Sequence, residues 1–174
     1  MTDVGWFGGS EPRSDDEDRF LKHLRVRASG WSVAGLLPEA SGCLAVLTPL
    51  IVTVSHPALE GSFGLTELQV GYWSATSWGL KLEGEWGDGS LLDNGGDDTD
   101  LHVQGVQEDP EFFAALAADW LEAQLLRPVE RAEWLKGARV VAYRVRLAGG
   151  GQTLATQGSW LRTRRSPNRT VALS

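Results

Sequence analysis

Six side chains that could ligate a metal fall within "WGDGSLLDNGGDDTDLHV", residues 86–103: Asp88, Asp93, Asp97, Asp98, Asp100 and His102. Carboxylates at alternate positions around a central glycine are what a calcium loop requires, together with a closing glutamate that supplies two oxygens. Asp93, Gly95 and Asp97 have that spacing, but no acid stands at the closing position. A nonapeptide calcium repeat needs Gly-Gly-x-Gly-x-Asp in several copies; Gly95, Gly96 and Asp100 fit once, with Asp98 in a glycine position. A transition-metal site needs further His or Cys ligands nearby, and His102 stands alone. The stretch therefore reads as a solvated acidic connection in which Asn94-Gly95-Gly96 provides positive φ. No metal and no cofactor is expected, and Asp88, Asp93, Asp97, Asp98 and Asp100 remain a candidate acidic binding loop.

Other catalytic constellations are missing from the sequence. The three histidines, His23, His56 and His102, follow no metalloprotease or deaminase spacing. No Gly-x-Ser-x-Gly elbow, phosphate-binding loop or dinucleotide fingerprint is present. The one cysteine, Cys43, lies in the apolar run "CLAVLTPLIVTV", where a buried thiol is inert rather than nucleophilic. A single cysteine also precludes a disulfide within the chain and suits a cytoplasmic protein. The start of the chain does not read as a secretory signal, and the longest apolar run is too short for a membrane span.

Charge is divided unevenly. The net charge is −7, but residues 1–126 carry 6 Lys+Arg against 21 Asp+Glu, whereas residues 127–174 carry 10 against 2. Either acidic and basic strands pair inside one fold, or the molecule has two faces of opposite sign, one of them a docking surface. The basic segment contains Arg139, Arg144, Arg146, Arg162, Arg164, Arg165 and Arg169. Nucleic-acid binding by these arginines is a minor reading, because the chain as a whole is acidic and carries no recognised nucleic-acid motif. Eight tryptophans are mostly core residues by their position on apolar faces; Trp73 and Trp78 flank "SATS" and are candidates for an interface.

The elements that would position these groups are mainly strands. "LRVRA", "WSVAGLL", "CLAVL", "LIVTVS" and "LQVGYWSA" are short, apolar and bounded by turn residues. "WGLKLEGEW" alternates, with Trp78, Leu80, Leu82 and Trp86 on one face and Lys81, Glu83 and Glu85 on the other. "DLHVQGV" is a candidate partner for it. "DPEFFAALAADWLEAQLLRP" then switches to helical spacing, with Asp109 and Pro110 as start signals and Pro128 as a stop. "VERAEWL", "ARVVAYRVRLA", "TLATQGSWLRT" and "TVAL" follow as strands.

The expected fold is α+β: a strongly bent antiparallel sheet of about seven to nine strands with one long helix, about 110–127, packed on it. Residues 1–19, acidic and poor in apolar side chains, read as a flexible arm, and residues 20–174 as one domain. The missing motifs, the acidic surplus and the aromatic content point to a non-catalytic protein-binding module, an adaptor, inhibitor or immunity-like neutraliser, with another protein, basic in character, as partner. A sugar or small-molecule pocket under the sheet, with Asp or Glu doing chemistry, is the alternative, and a nucleic-acid accessory protein the third.

Overall fold

A computed structural model describes residues 5–46, 48–59, 67–76, 79–87, 101–106, 109–149, 151–159 and 163–173. Its first helix begins where the sequence reading placed a flexible arm. Helix α1, Asp15–Ala28, is capped by Ser14, whose side chain accepts a hydrogen bond from the Glu17 backbone N–H. The Glu17 carboxylate in turn accepts from the Arg13 backbone N–H at 2.7 Å and from the Arg13 guanidinium at 2.6 Å. Ser14-Asp15-Asp16-Glu17 is thus a variant of the capping box, and its acids lie at the positive end of the helix dipole. These charges start a helix rather than solvating a tail. The apolar residues Phe20, Leu21, Leu24 and Ala28 recur at helical spacing and are all buried, so "LRVRA" is helix and not strand.

The residues before α1 are also built in. Phe7 is fully buried, and its ring meets Trp6 and Trp31 at centroid separations of 6.1 Å each. Arg25 of α1 donates to the Trp6 and Phe7 carbonyls, both at 3.0 Å. Strand β1, Gly8–Gly9, pairs in parallel with β2, Ser41–Leu44. Gly9 has φ +133°, and a Cβ there would overlap the Cys43 carbonyl oxygen, so only glycine allows this approach.

The remaining strands are β3, Leu50–Val54; β4, Glu67–Thr76; β5, Gly79–Gly87; β6, Leu101–Val106; β7, Val129–Lys136; β8, Arg139–Leu147; β9, Thr153–Gln157; and β10, Arg169–Ala172. Helix α2, Pro110–Leu125, separates β6 from β7. The described residues form two open sheets rather than one bent sheet, ordered β1-β2-β3-β4-β5-β6 and β10-β7-β8-β9. All pairings except β1 with β2 are antiparallel. Among the described residues there are ten strands and two α-helices, against the seven to nine strands and one helix expected. Strands β1 to β6 pair in sequence order, and helix α2 intervenes before β7, which belongs to the second sheet. "WSVAGLL" contributes no strand.

Both helices cover the six-stranded sheet. Phe20 stacks on Tyr72 of β4 with centroids 4.3 Å apart, and Phe113 of α2 meets the same ring at 6.0 Å. Arg19 pairs with Glu111, and Arg27 with Asp119, so the helices run alongside each other in the same direction. Trp120 lies over Gly84 of β5, where an added Cβ would come within 3.0 Å of the indole. One hydrophobic cluster includes residues from both helices and both sheets, from Phe7 to Ala155.

The junction between the sheets is polar and buried. His56 accepts a hydrogen bond from the Ala58 N–H on Nδ1, which leaves Nε2 to donate to the Leu125 carbonyl at the end of α2. Trp86 donates to the Gln124 side-chain oxygen, which also accepts from Arg127, and Gln152 donates to the Trp86 carbonyl. No helix among the described residues is long and apolar enough to cross a membrane.

Candidate docking surface on the four-stranded sheet

The cross-strand register sets the chemistry of the second sheet. Residues directly opposite one another share a face. Val129 stands opposite Leu147; Val171, Arg131, Val145 and Ala155 make a row; Arg169, Glu133, Tyr143 and Gln157 make the next, one from each strand. The first of these rows and half of the second belong to the core, with Val129, Val145, Leu147 and Ala155 all buried. One face of the sheet therefore changes along its strands from core to a polar, arginine-bearing row.

At the centre of that row Glu133 is fully buried between two arginines. Arg169 Nε lies 2.5 Å from Glu133 Oε2, and Arg131 Nη2 lies 2.7 Å from Oε1. Burial alone would raise the carboxyl pKa; the hydrogen bond from Arg169 and the charge of Arg131 outweigh it and hold the group below its ordinary range. Arg131 also lies over the Tyr143 ring, 5.8 Å from its centroid. Arg131 Nε is buried and makes no hydrogen bond of its own. Around these side chains opens a groove of about 590 Å³ lined by Arg131, Glu133, Arg139, Val141, Tyr143 and Gln157, among others.

The opposite face is closed by the chain itself. Ala132, Trp134 and Ala142 form a small separate cluster. The segment 163–168 lies against it: Trp134 Nε1 donates to the Arg165 carbonyl at 2.9 Å, and the Asn168 side chain accepts from the Leu135 N–H at 2.6 Å. Arg144 lies 5.9 Å from the Trp134 ring and donates to the Thr163 carbonyl. A second, smaller recess of about 420 Å³ borders Trp134, Lys136, Arg165 and Asn168.

These contacts sort the residues singled out from sequence. Arg146 is held by Glu130 at 2.6 Å and Arg144 by Trp134 and Thr163, so both support the sheet. Arg164 and Arg165 are exposed, and Arg165 borders the same recess as Lys136; Arg162 lies outside the described residues. Trp73 is half-buried with Lys81 Nζ 4.4 Å from its ring centroid, and Trp78 lies outside the described residues. Asp88, Asp93, Asp97, Asp98 and Asp100 also fall outside them. His102 Nδ1 meets Glu83 at 3.1 Å, and among the described residues no three metal-ligating side chains converge. Cys43 is buried, and loss of solvation pushes its thiol up to about 11.

Sequence reasoning missed Arg131, Glu133, Tyr143 and Gln157 as a group. Strand alternation in "VERAEWL" does place Arg131 and Glu133 on one face. Their assembly with Tyr143 and Gln157 depends on the register of three strands, which a bulge in β8 opposite Trp134 and Leu135 and another opposite β9 displace.

The ion pairs bear on how the two charged segments meet. Arg13–Glu17, Arg19–Glu111, Lys22–Asp18, Arg27–Asp119 and Lys81–Glu83 all join residues of 1–126. Arg131–Glu133, Arg146–Glu130 and Arg169–Glu133 all join residues of 127–174. Among the described residues no ion pair links one segment to the other.

No family model matches this chain, and no curated protein or solved structure does.

Proposed function

We propose that the chain is a non-catalytic protein-binding module that meets its partners through surfaces of opposite charge. The observation that carries this reading is that, among the described residues, each ion pair joins partners of one segment. The two acids of residues 127–174, Glu130 and Glu133, are both occupied by arginines of the same segment. Lys136, Arg139 and Arg165 are exposed at one end of the four-stranded sheet. The acidic surplus of residues 1–126 is the surface for a basic partner, and the basic end for an acidic one, which is the layout of an adaptor. Opposed fields of this kind steer encounter and select against like-charged partners. A cytoplasmic setting is part of the same proposal.

Capture from native lysate at low and high salt tests it, using the wild type, a basic-end variant with Lys136, Arg139 and Arg165 changed to Gln, and a loop variant with Asp97, Asp98 and Asp100 changed to Lys. The expected result is salt-sensitive capture in which each variant loses a different set of proteins. Capture that ignores salt and both variants would contradict the reading.

A further inference from the structure

We propose that the groove over the polar row of the four-stranded sheet binds a short acidic peptide segment of a partner protein. The inference rests on the protein-binding reading above and names the partner chemistry for one of its surfaces. In the groove the inner face of this sheet continues past the core. Its lining takes in Glu133, Tyr143 and Gln157 of one cross-strand row, together with Arg131 and Arg139. Arg131 and Arg139 against one carboxylate, itself paired with Arg169 as well, leave the groove positive.

Hydrogen-bonding groups specify more than charge. Glu133 is fully buried, with Arg131 Nη2 2.7 Å from its Oε1 and Arg169 Nε 2.5 Å from its Oε2, so its own charge is met inside the protein. A peptide offers side-chain carboxylates to Arg131 and Arg139, and backbone N–H and C=O groups to the rim of the groove. Gln157, exposed at the end of β9, can donate to and accept from the same backbone. The groove's volume of about 590 Å³ falls in the range of ordinary ligand sites, roughly 300–1,000 Å³.

A nucleic acid fits the same surface less well. Single strands bind by stacking bases on aromatic rings. Here Arg131 lies over Tyr143, Arg144 lies over Trp134, and Trp134 is buried. The net charge of −15 on residues 1–126 would also repel a polyphosphate running past the groove, whereas a short peptide stays within it.

The test uses the full chain and fluorescence anisotropy with three labelled probes of matched length: a Glu/Asp-rich peptide, its Lys-substituted counterpart and an oligo-dT strand. The acidic peptide should bind best, and its affinity should fall about tenfold between roughly 0.05 and 0.3 M salt. Arg139→Gln and Gln157→Ala should each weaken it severalfold, while Lys22→Gln, an equal charge change on the exposed side of α1, should leave it nearly unchanged. The loss with Gln157→Ala, which alters no charge, separates a shaped groove from diffuse attraction. Tighter binding of the oligonucleotide would overturn the assignment in favour of nucleic acid. Equal losses from Lys22→Gln and Arg139→Gln, with none from Gln157→Ala, would also overturn it. If the groove variants leave the acidic peptide's binding intact while lysate capture remains salt-sensitive, the groove assignment fails and the broader protein-binding reading survives.

Discussion

At the scale of single residues, contacts rather than residue types decide what a side chain is for. Gly84 is in the middle of a strand, where glycine is ordinarily a weakness, yet the Trp120 indole and Leu101 Cβ leave no room for a methyl group. Gly84→Ala should destabilise the fold by about 1–3 kcal/mol through overpacking. In a Trp120→Ala background the added cost should shrink, and urea unfolding of the four proteins in the cycle measures that coupling. His56 gives a pH signature. Desolvation lowers its pKa, with the hydrogen bond to Leu125 opposing, so protonation favours the unfolded chain. Its contribution is intact above the unfolded value of about 6.5 and is lost as pH falls below it towards the folded value. Glu133 adds a second loss at lower pH, because its depressed carboxyl keeps its contribution above the ordinary carboxylate range and gives it up as the group protonates. Unfolding free energies followed from pH 7 downwards should decline in the His56 window first, and a His56→Gln variant should be flat there while still declining in acid.

At the scale of elements, the same acids mean different things depending on their neighbours. Helix α2 was readable because Asp109, Pro110 and the apolar spacing agree, although the Asp109 side chain makes no capping bond. Strand β5 was readable from its alternation, which the burial of Leu82, Gly84 and Trp86 follows. Helix α1 was not, because "SEPRSDDED" resembles a disordered segment in composition. Only the position of Ser14 three residues before Glu17 marks a helix start, and Phe20 and Leu21 lie beyond the acids that cap it. The capping bond should be measurable: Ser14→Ala should cost about 1 kcal/mol in urea unfolding, and Ser14→Asp should restore most of it. Stability indifferent to both changes would mean that α1 is held by its packed face alone. The division into two sheets and the row that lines the groove depend on pairing register. Composition and periodicity do not encode register when both faces of a strand carry mixed residues, as β7 and β8 do.

At the scale of the whole molecule, the uneven charge visible in the sequence becomes a spatial fact through the ion pairs. Each arginine or lysine pair found between described residues joins partners from its own segment, and the four-stranded sheet keeps an exposed basic end. The functional reading depends on that segregation, since charges paired across the fold would not be available to a partner. It follows that like charges crowd at the basic end and repel one another over distances that salt screens, about 8–10 Å at physiological ionic strength. The measurement that tests this most directly is the urea unfolding free energy of the wild type and of a Lys136→Gln, Arg139→Gln, Arg165→Gln variant across a salt series. Segregated charge predicts that the variant is as stable as the wild type or slightly more so at low salt, with the difference vanishing as salt rises. A variant that is clearly less stable at low salt and recovers as salt rises would show these cations pairing with the acidic segment, and would contradict the account.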